Sequence, residues 1–375
     1  MKDNLKSYLK RVIKKEETGK LASITRVVLL FLSYIYSAAS RMRSFAYRNK
    51  LMPKKEASVP VISVGNITTG GTGKTPFTAF LLEQLKHKYS IAVISRGYGA
   101  SKDVAEPFLI KDGENIYADS AQSGDELFML ARKTDDVIFI RSADRYQGTV
   151  LAEEKGAELI ILDDGFQHYQ LEREVDVVII DAEDPFSNNK VLPAGLLREP
   201  FSALKRADIF ILNHTENVEH SRVEALKKDI NKKSPANRGV FAAKTISEKC
   251  ISVVGEDINE ADFLEEKRVF AFSGIGSPEA FKRTIESNGG NLVSYRVFKD
   301  HYNYQKEDLL TLVDQYESSK ADIILTTEKD AVKLFDFGDM IGELPFYYLT
   351  ISMQIDDSKK LLEAINEKIQ QKRNK

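Results

Sequence analysis

Cysteine occurs once in the 375 residues, as Cys250. A single thiol excludes an internal disulfide framework and suits a reducing compartment, and nothing around Cys250 suggests an activated thiol. Charge nearly cancels, at a net −2. That balance gives no ground for a nucleic acid or an acidic partner of the chain as a whole. Internal repeats and low-complexity segments are missing. A long hydrophobic run is missing too. The most apolar stretch, VVLLFLSYIYSAA at residues 27–39, is bounded by Arg26, Arg41 and Arg43. As a helix it reaches about 20 Å against the roughly 30 Å of bilayer hydrocarbon, so a spanning segment is not expected. The long charged lead before it is a poor match to a secretory signal.

What is present starts with an uneven N-terminus. Residues 1–55 hold fourteen Lys or Arg against Asp3, Glu16 and Glu17, a net charge of about +11. Leu5, Tyr8, Leu9, Val12 and Ile13 recur at helical spacing with Lys6, Lys10 and Lys14 between them, which reads as a basic amphipathic helix. A core helix with a basic flank is the plainer interpretation of the apolar run. Its adjacency to the basic helix favours association with a membrane surface.

From residue 59 onward, short β-branched runs alternate with helical periodicity. Strands are predicted at 59–65, 90–95, 137–140, 158–164, 175–181 and 207–213, with helices after Lys74 and around 124–133 and 144–155. The polar stretch NKKSPANRG at 231–239 reads as a linker. Strands at 268–276, 291–298 and 321–330 follow, with helices near 278–288 and 305–318 and a final helix from about Asp356 that could pack back on the first domain. Continuous apolar strands followed by helices predict an α/β fold with a P-loop NTPase-type parallel sheet. The expected division is a membrane-associated helical segment at 1–55, a P-loop kinase core at 56–235 and a second, smaller α/β domain at 236–375.

The loop GNITTGGTGKTP, residues 65–76, follows the first strand. Gly70, Gly71 and Gly73 allow a tight turn whose N–H groups, with those of Thr69 and Thr72, would cradle phosphate at a helix N-terminus. Lys74 suits the β- and γ-phosphates of ATP, and the Thr75 hydroxyl suits Mg²⁺. The front half departs from the usual pattern, with Thr68 at the leading glycine position and Thr69 where partition-type ATPases carry a second lysine. LIILDDG puts Asp163 and Asp164 at a strand tip, where the second magnesium-side acid of a P-loop enzyme belongs. Two adjacent carboxylates would repel unless a cation sits nearby. Asp125 in SGDE and His301 in KDHYNY are candidates for a base and its partner, although read locally the plainer interpretation is a helix N-terminal acid for Asp125 and a surface-loop residue for His301.

The ordered series GNITTGGTGKTP, SRGYG, GDE, DDGFQH, PAGLLREP, FSGIGSP, DHYNY and TTEKDAVK resembles the tetraacyldisaccharide 4'-kinase family, the lipid A 4'-kinases of Gram-negative bacteria. The resemblance runs from about residue 20 to about residue 350. It implies Mg²⁺-dependent transfer of the ATP γ-phosphate to the 4'-hydroxyl of a tetraacylated glucosamine disaccharide 1-phosphate, at the cytoplasmic face of the inner membrane. It further implies Asp125 as catalytic base paired with His301, and Lys74 and Thr75 on ATP and Mg²⁺. Asp163, Asp164 and Glu199 would complete the magnesium side, and Arg96, Tyr98, Arg145, His168 and Arg198 would lie near the disaccharide and its phosphate. TTEKD would lie near the nucleotide, and closure of the two domains would bring His301 to Asp125. Ala100 stands where family members often carry arginine, and Tyr302 departs from the DHY motif's commoner forms. No protein partner is inferable, so a monomer is expected. Two rivals remain: a P-loop ligase for a soluble metabolite, which the apolar N-terminus disfavours, and a membrane-positioning ATPase, which Thr69 disfavours.

Overall fold

Runs such as VISV and LIIL have no polar alternation, so a strand made of them must be covered on both faces. In the computed structural model, which describes residues 8–9, 11–13, 16–236, 239–255, 257–342 and 344–374, they are covered. The chain passes through α1 (Lys20–Arg48), β1 (Val61–Gly65), α2 (Lys74–Leu85), β2 (Ile91–Ser95), β3 (Phe108–Gly113), α3 (Asp125–Lys133), β4 (Val137–Arg141), α4 (Arg145–Glu154) and β5 (Leu159–Asp163). It continues through β6 (Val175–Asp181), β7 (Ile209–Asn213), α5 (His220–Lys233), β8 (Gly239–Ser252), β9 (Ile258–Glu260), β10 (Arg268–Ser273) and α6 (Pro278–Ser287). The remainder is β11 (Asn291–Val297), α7 (Lys306–Ser319), β12 (Ile323–Thr327), α8 (Glu328–Ala331), β13 (Phe346–Ile355) and α9 (Ser358–Arg373). Every residue of β1, β2, β5 and β7 is buried.

Contacts sort the chain into two compact units, each assembled from segments on both sides of residue 235. One comprises residues 1–74, 164–244 and 355–375. Its strands β1, β6, β7 and β8 pair side by side and in parallel, with Val64 opposite Val177 and Val178 opposite Phe210. The final helix α9 belongs here. It buries Leu361, Ile365 and Ile369, one residue per turn, while Lys368 pairs with Asp208 at 3.1 Å and Lys372 with Glu174 at 3.6 Å. The other unit comprises residues 75–163 and 245–354. In it β2 lies between β5 and β4, all parallel, with β3 antiparallel along β4. A second set runs β11–β10–β12–β13, also parallel. In both units the sequence motifs leave the carboxyl ends of strands, where parallel sheets bind ligands.

The apolar run at 27–39 proves to be the middle of a longer helix. Arginines 41, 43 and 48 are good helix formers that can point to solvent, so α1 continues through them to 29 residues, about 43 Å. By length and composition alone it could cross a membrane. Its packing, however, runs along its side. Ala22, Leu29, Ser33 and Tyr47 are buried, the Ser33 hydroxyl donates to the Val191 carbonyl at 2.8 Å, and the Tyr36 hydroxyl donates to the Arg198 carbonyl at 2.9 Å. Ile24, Val28, Phe31, Ile35, Met42 and Phe45, spaced by three, four or seven, form an exposed apolar face. Buried Val12 packs with Ala22 and Leu29. Leu5, Lys6, Lys10 and Lys14 of the basic amphipathic helix lie outside the described residues, as do 237 and 238 of the linker, which otherwise joins α5 to β8.

Ile365 is fully buried between α9 and the sheet of its unit. Ile365→Ala should lower the unfolding free energy by about 2–5 kcal/mol. A urea titration followed by circular dichroism checks this; an unchanged midpoint would show that α9 adds nothing to the fold.

Candidate active site

The phosphate loop is shaped by glycine conformation and fastened by buried amides. Gly70 and Gly73 adopt φ values of 121° and 92°, which β-carbon-bearing residues rarely hold. Asn66, fully buried, donates to the Thr72 hydroxyl at 2.9 Å, and Asn213 donates to the Thr72 carbonyl at 3.2 Å. Thr69 gives both its N–H and its hydroxyl to the Leu196 carbonyl, at 2.8 and 3.3 Å. A β-carbon placed on Gly70 or Gly71 would meet nothing within 4 Å, so the middle of the loop borders open space. Helix α2 starts at Lys74, so its N-terminal amides and the positive end of its dipole border the loop.

The aspartate pair at the end of β5 has cations on its second member, which eases the self-repulsion. Asp164 sits in the left-handed region with φ 53° and accepts two hydrogen bonds from Arg198 Nη1, both 2.8 Å, with Lys74 Nζ at 3.6 Å. Asp163 is buried and accepts from the Ser95 hydroxyl at 3.4 Å. Arg198, expected on the substrate, is thus bound to a carboxylate.

Glu199, expected on the magnesium side, is held by three side chains. It is buried, and both oxygens are engaged: Arg206 Nη2 lies at 2.7 Å, Gln167 donates at 3.2 Å, and the Tyr169 hydroxyl donates as well. Arg206 also lies over the rings of Phe166 and Tyr169.

The GDE motif opens α3. Its two acids occupy the first helical turn, where the dipole favours negative charge, and they split their work. The Thr75 hydroxyl donates to Glu126 Oε2 at 3.2 Å. Asp125, 6% exposed, has Oδ2 3.0 Å from His301 Nδ1 and 3.2 Å from Lys333 Nζ. His301 and Asp125 therefore already meet, inside one unit. His301 holds φ 58° and packs on the glycine of SRGYG, where a β-carbon on Gly99 would lie 2.7 Å from Nδ1.

TTEKDAVK brings two lysines to this pair, so it belongs with Asp125 and His301. The Thr327 side chain caps α8 by accepting from the Asp330 N–H, and fully buried Asp330 accepts from the Gly274 N–H at 2.9 Å. Lys333, itself buried, bridges Asp330 and Asp125, at 3.2 Å from each. Lys329 Nζ lies 3.1 Å from His301 Nε2, 3.2 Å from Asp300 Oδ1 and 3.5 Å from Glu126 Oε1. Burial alone would push its ammonium down, yet Glu126 and Asp300 together hold it above the ordinary lysine value. Burial pushes the neighbouring Glu328 carboxyl up, against the pull of Lys133 at 3.4 Å. Glu126, Lys329 and Lys333 were missed as individual site residues. The signal was there, since all three lie in the quoted GDE and TTEKDAVK phrases.

The remaining expected residues divide by exposure. Arg96 and Tyr98 are exposed, and the Tyr98 ring stands edge-on to His301 with centroids 4.9 Å apart. Arg145 is buried at the start of α4 and donates to the Ser142 carbonyl at 2.5 Å, so its charge does not face an open surface. His168 is half-buried, and its carbonyl accepts from Arg173. Among the described residues no group of three or more His, Cys, Asp and Glu side chains is arranged to hold a metal ion. A Mg²⁺ bound mainly through phosphate oxygens and water needs no such group.

Comparison with known proteins gives this constellation its setting. The model of the tetraacyldisaccharide-1-P 4'-kinase family matches residues 25–370. A tetraacyldisaccharide 4'-kinase of Halothermothrix orenii is 35% identical, covering 98% of this chain and 98% of that protein. One of Desulfotalea psychrophila is 37% identical over 87% of this chain and 93% of its own length. The crystal structure of LpxK from Aquifex aeolicus in complex with ATP superposes with a TM-score of 0.74 at 29% identity, covering 92% of this chain and 99% of that one. By sequence and by fold, the chain belongs to the tetraacyldisaccharide-1-P 4'-kinase family.

Proposed function

We propose that this kinase moves the γ-phosphate of ATP to the 4'-hydroxyl of a tetraacylated glucosamine disaccharide 1-phosphate, with Asp125 as the base. The observation that carries the assignment is the division of labour in GDE. Asp125 holds His301, while the next residue, Glu126, holds the hydroxyl of Thr75, which follows the loop lysine directly. A proton acceptor and a phosphate-side hydroxyl are thereby fixed on one helical turn. Oδ2 of Asp125 is occupied by His301 and Lys333, which leaves Oδ1 to accept the 4'-hydroxyl proton. As that proton leaves, the sugar oxygen bonds to the γ-phosphorus and the bond to the bridging oxygen breaks, releasing ADP. Lys74 and the loop amides would hold the phosphates, and exposed Arg96 and Tyr98 are the best-placed residues of SRGYG to meet the disaccharide.

The donors fit Mg²⁺, a hard cation that takes oxygen ligands. The Thr75 hydroxyl and the Asp163 and Asp164 carboxylates would hold it, and when bound it would neutralise charge on the transferring phosphate. Glu199, the third acid of the magnesium side, would join them from a position held by Arg206, Tyr169 and Gln167. On this reading residues 1–55 associate with the membrane, 56–235 carry the phosphate loop and Asp125, and 236–375 carry His301 and the two lysines.

The substrate's acyl chains require work at a lipid surface. We assign the exposed face of α1 to the inner leaflet of the inner membrane, with α1 lying along the surface, because its opposite face is packed from Ala22 to Tyr47.

Three outcomes are expected. Labelled γ-phosphate should pass to purified disaccharide 1-phosphate in detergent micelles, and a complete lack of product would overturn the reading. Asp125→Asn should lower kcat by about 10²–10⁴-fold while leaving ATP affinity nearly unchanged; an equal loss of ATP binding would place Asp125 in the nucleotide site instead. Replacing both Phe31 and Ile35 by Asp should weaken co-sedimentation with anionic vesicles by about two orders of magnitude, with unchanged melting and unchanged activity on micellar substrate. Wild-type sedimentation of that double variant would move the anchor elsewhere.

A further inference from the structure

We propose that Lys329 is a positioning residue that fixes the tautomer of His301 and joins it to the carboxylate that holds Thr75. The proposal deepens the reading of Asp125 as base and rests on it for its catalytic meaning. An ammonium has three donors and no acceptor. Lys329 meets three acceptors: His301 Nε2 at 3.1 Å, Asp300 Oδ1 at 3.2 Å and Glu126 Oε1 at 3.5 Å. Because the ammonium cannot accept, Nε2 must present its lone pair. The single ring proton of neutral His301 then sits on Nδ1, where it donates to Asp125 Oδ2 across 3.0 Å.

The alternatives are worse in definite ways. In the other tautomer the Nδ1 lone pair would face the Asp125 carboxylate, and the Nε2 proton would face the Lys329 ammonium. Both contacts would set like against like. A doubly protonated ring would likewise point an N–H at the ammonium. It would also place a full cation on Asp125, which already has Lys333 beside it, and so weaken the carboxylate as a proton acceptor. The groups facing His301 are Asp125 from α3, Lys329 from α8, Asp300 beside it in the chain, and the Tyr98 ring edge-on. Lys329 is the one cation among these, and it faces the nitrogen that must stay unprotonated.

The same ammonium reaches beyond the histidine. Glu126 offers Oε1 to Lys329 and Oε2 to the Thr75 hydroxyl. Thr75, Glu126, Lys329, His301 and Asp125 thus form one continuous chain of polar contacts. The position of the base is thereby tied to the residue after the loop lysine, and the tie runs through Lys329. Lys333 is less suited to a test, because it is buried between two aspartates and its removal would leave both unpaired.

The test uses the full-length protein in detergent micelles, as wild type, Lys329→Met and Lys329→Arg. Nitrogen NMR of protein labelled at histidine reports the tautomer directly. In wild type, Nε2 of His301 should resonate as an unprotonated acceptor, and in Lys329→Met it should move toward the protonated range. Turnover of Lys329→Met should fall about 10–10²-fold, with the KM for ATP within about three-fold. Lys329→Arg, whose guanidinium also only donates, should restore both the spectrum and most of the turnover. An unchanged His301 spectrum in Lys329→Met, or a wild-type proton on Nε2, would overturn the proposal. So would an Arg variant as impaired as the Met variant. Failure of the base reading shows up separately, as near-normal turnover in Asp125→Asn, because the NMR result does not depend on which group accepts the proton.

Discussion

A carboxylate that is buried must be given partners, and Asp125 is where that requirement organises the protein. Removing one partner from a buried charge costs roughly 3–5 kcal/mol, so the partners must be delivered by elements that cannot drift. His301 comes from the loop after β11, and Lys333 follows the helix capped by Thr327. Lys333 needs its own counterweight, which Asp330 supplies, and Asp330 in turn is held by the Gly274 N–H at the end of β10. The motifs FSGIG, DHYNY and TTEKDAVK are therefore successive supports of one carboxyl group. The same logic explains SRGYG, since a β-carbon on Gly99 would collide with the histidine that Asp125 needs.

The strands that carry these motifs were legible, because a strand buried on both faces advertises itself as an unbroken apolar run. Residues 175–181 were read with both boundaries right, and β1, β2, β4 and β5 were off by at most two residues at an end. Apart from β11, strands with a partly exposed face escaped. β8 reads GVFAAKTISEKCIS and alternates burial irregularly, and β3, β9 and β13 mix polar and apolar residues in the same way. Helix α5 was missed because only Val223 and Ile230 are buried, too thin a stripe for periodicity to show. TTEKD was assigned to the end of a strand, but the Thr327 cap stops β12 there and turns the chain into α8.

Within the site, sequence identified residue types more readily than their partners. Asp125, His301, Lys74 and Asp164 sit with groups that make chemical sense of them. Glu199 and Arg198, adjacent in the chain, are expected on the magnesium side and near the disaccharide. In three dimensions Arg198 clamps Asp164 while Glu199 is absorbed by Arg206 and Tyr169. The resemblance puts Arg145 near the disaccharide and its phosphate, and the fold buries it at the start of α4, donating to the Ser142 carbonyl. Pairing depends on contacts between residues far apart in the chain, and a single sequence does not display these.

The segment at residues 191–198 joins α1 to the phosphate loop. Its Val191 and Arg198 carbonyls receive the hydroxyls of Ser33 and Tyr36, one turn apart on α1. Between them the Leu196 carbonyl fastens Thr69 of the phosphate loop, and the Arg198 side chain holds Asp164. One short loop thus grips α1 through its Val191 and Arg198 carbonyls, and the phosphate-binding residues through the Leu196 carbonyl and the Arg198 side chain. It acts as a spacer of fixed length. If α1 rests on the bilayer as proposed, this loop sets the height at which the phosphate loop rides above the lipid surface. A substrate anchored by its acyl chains then has to rise by one definite distance for its sugar to reach the transferring phosphate.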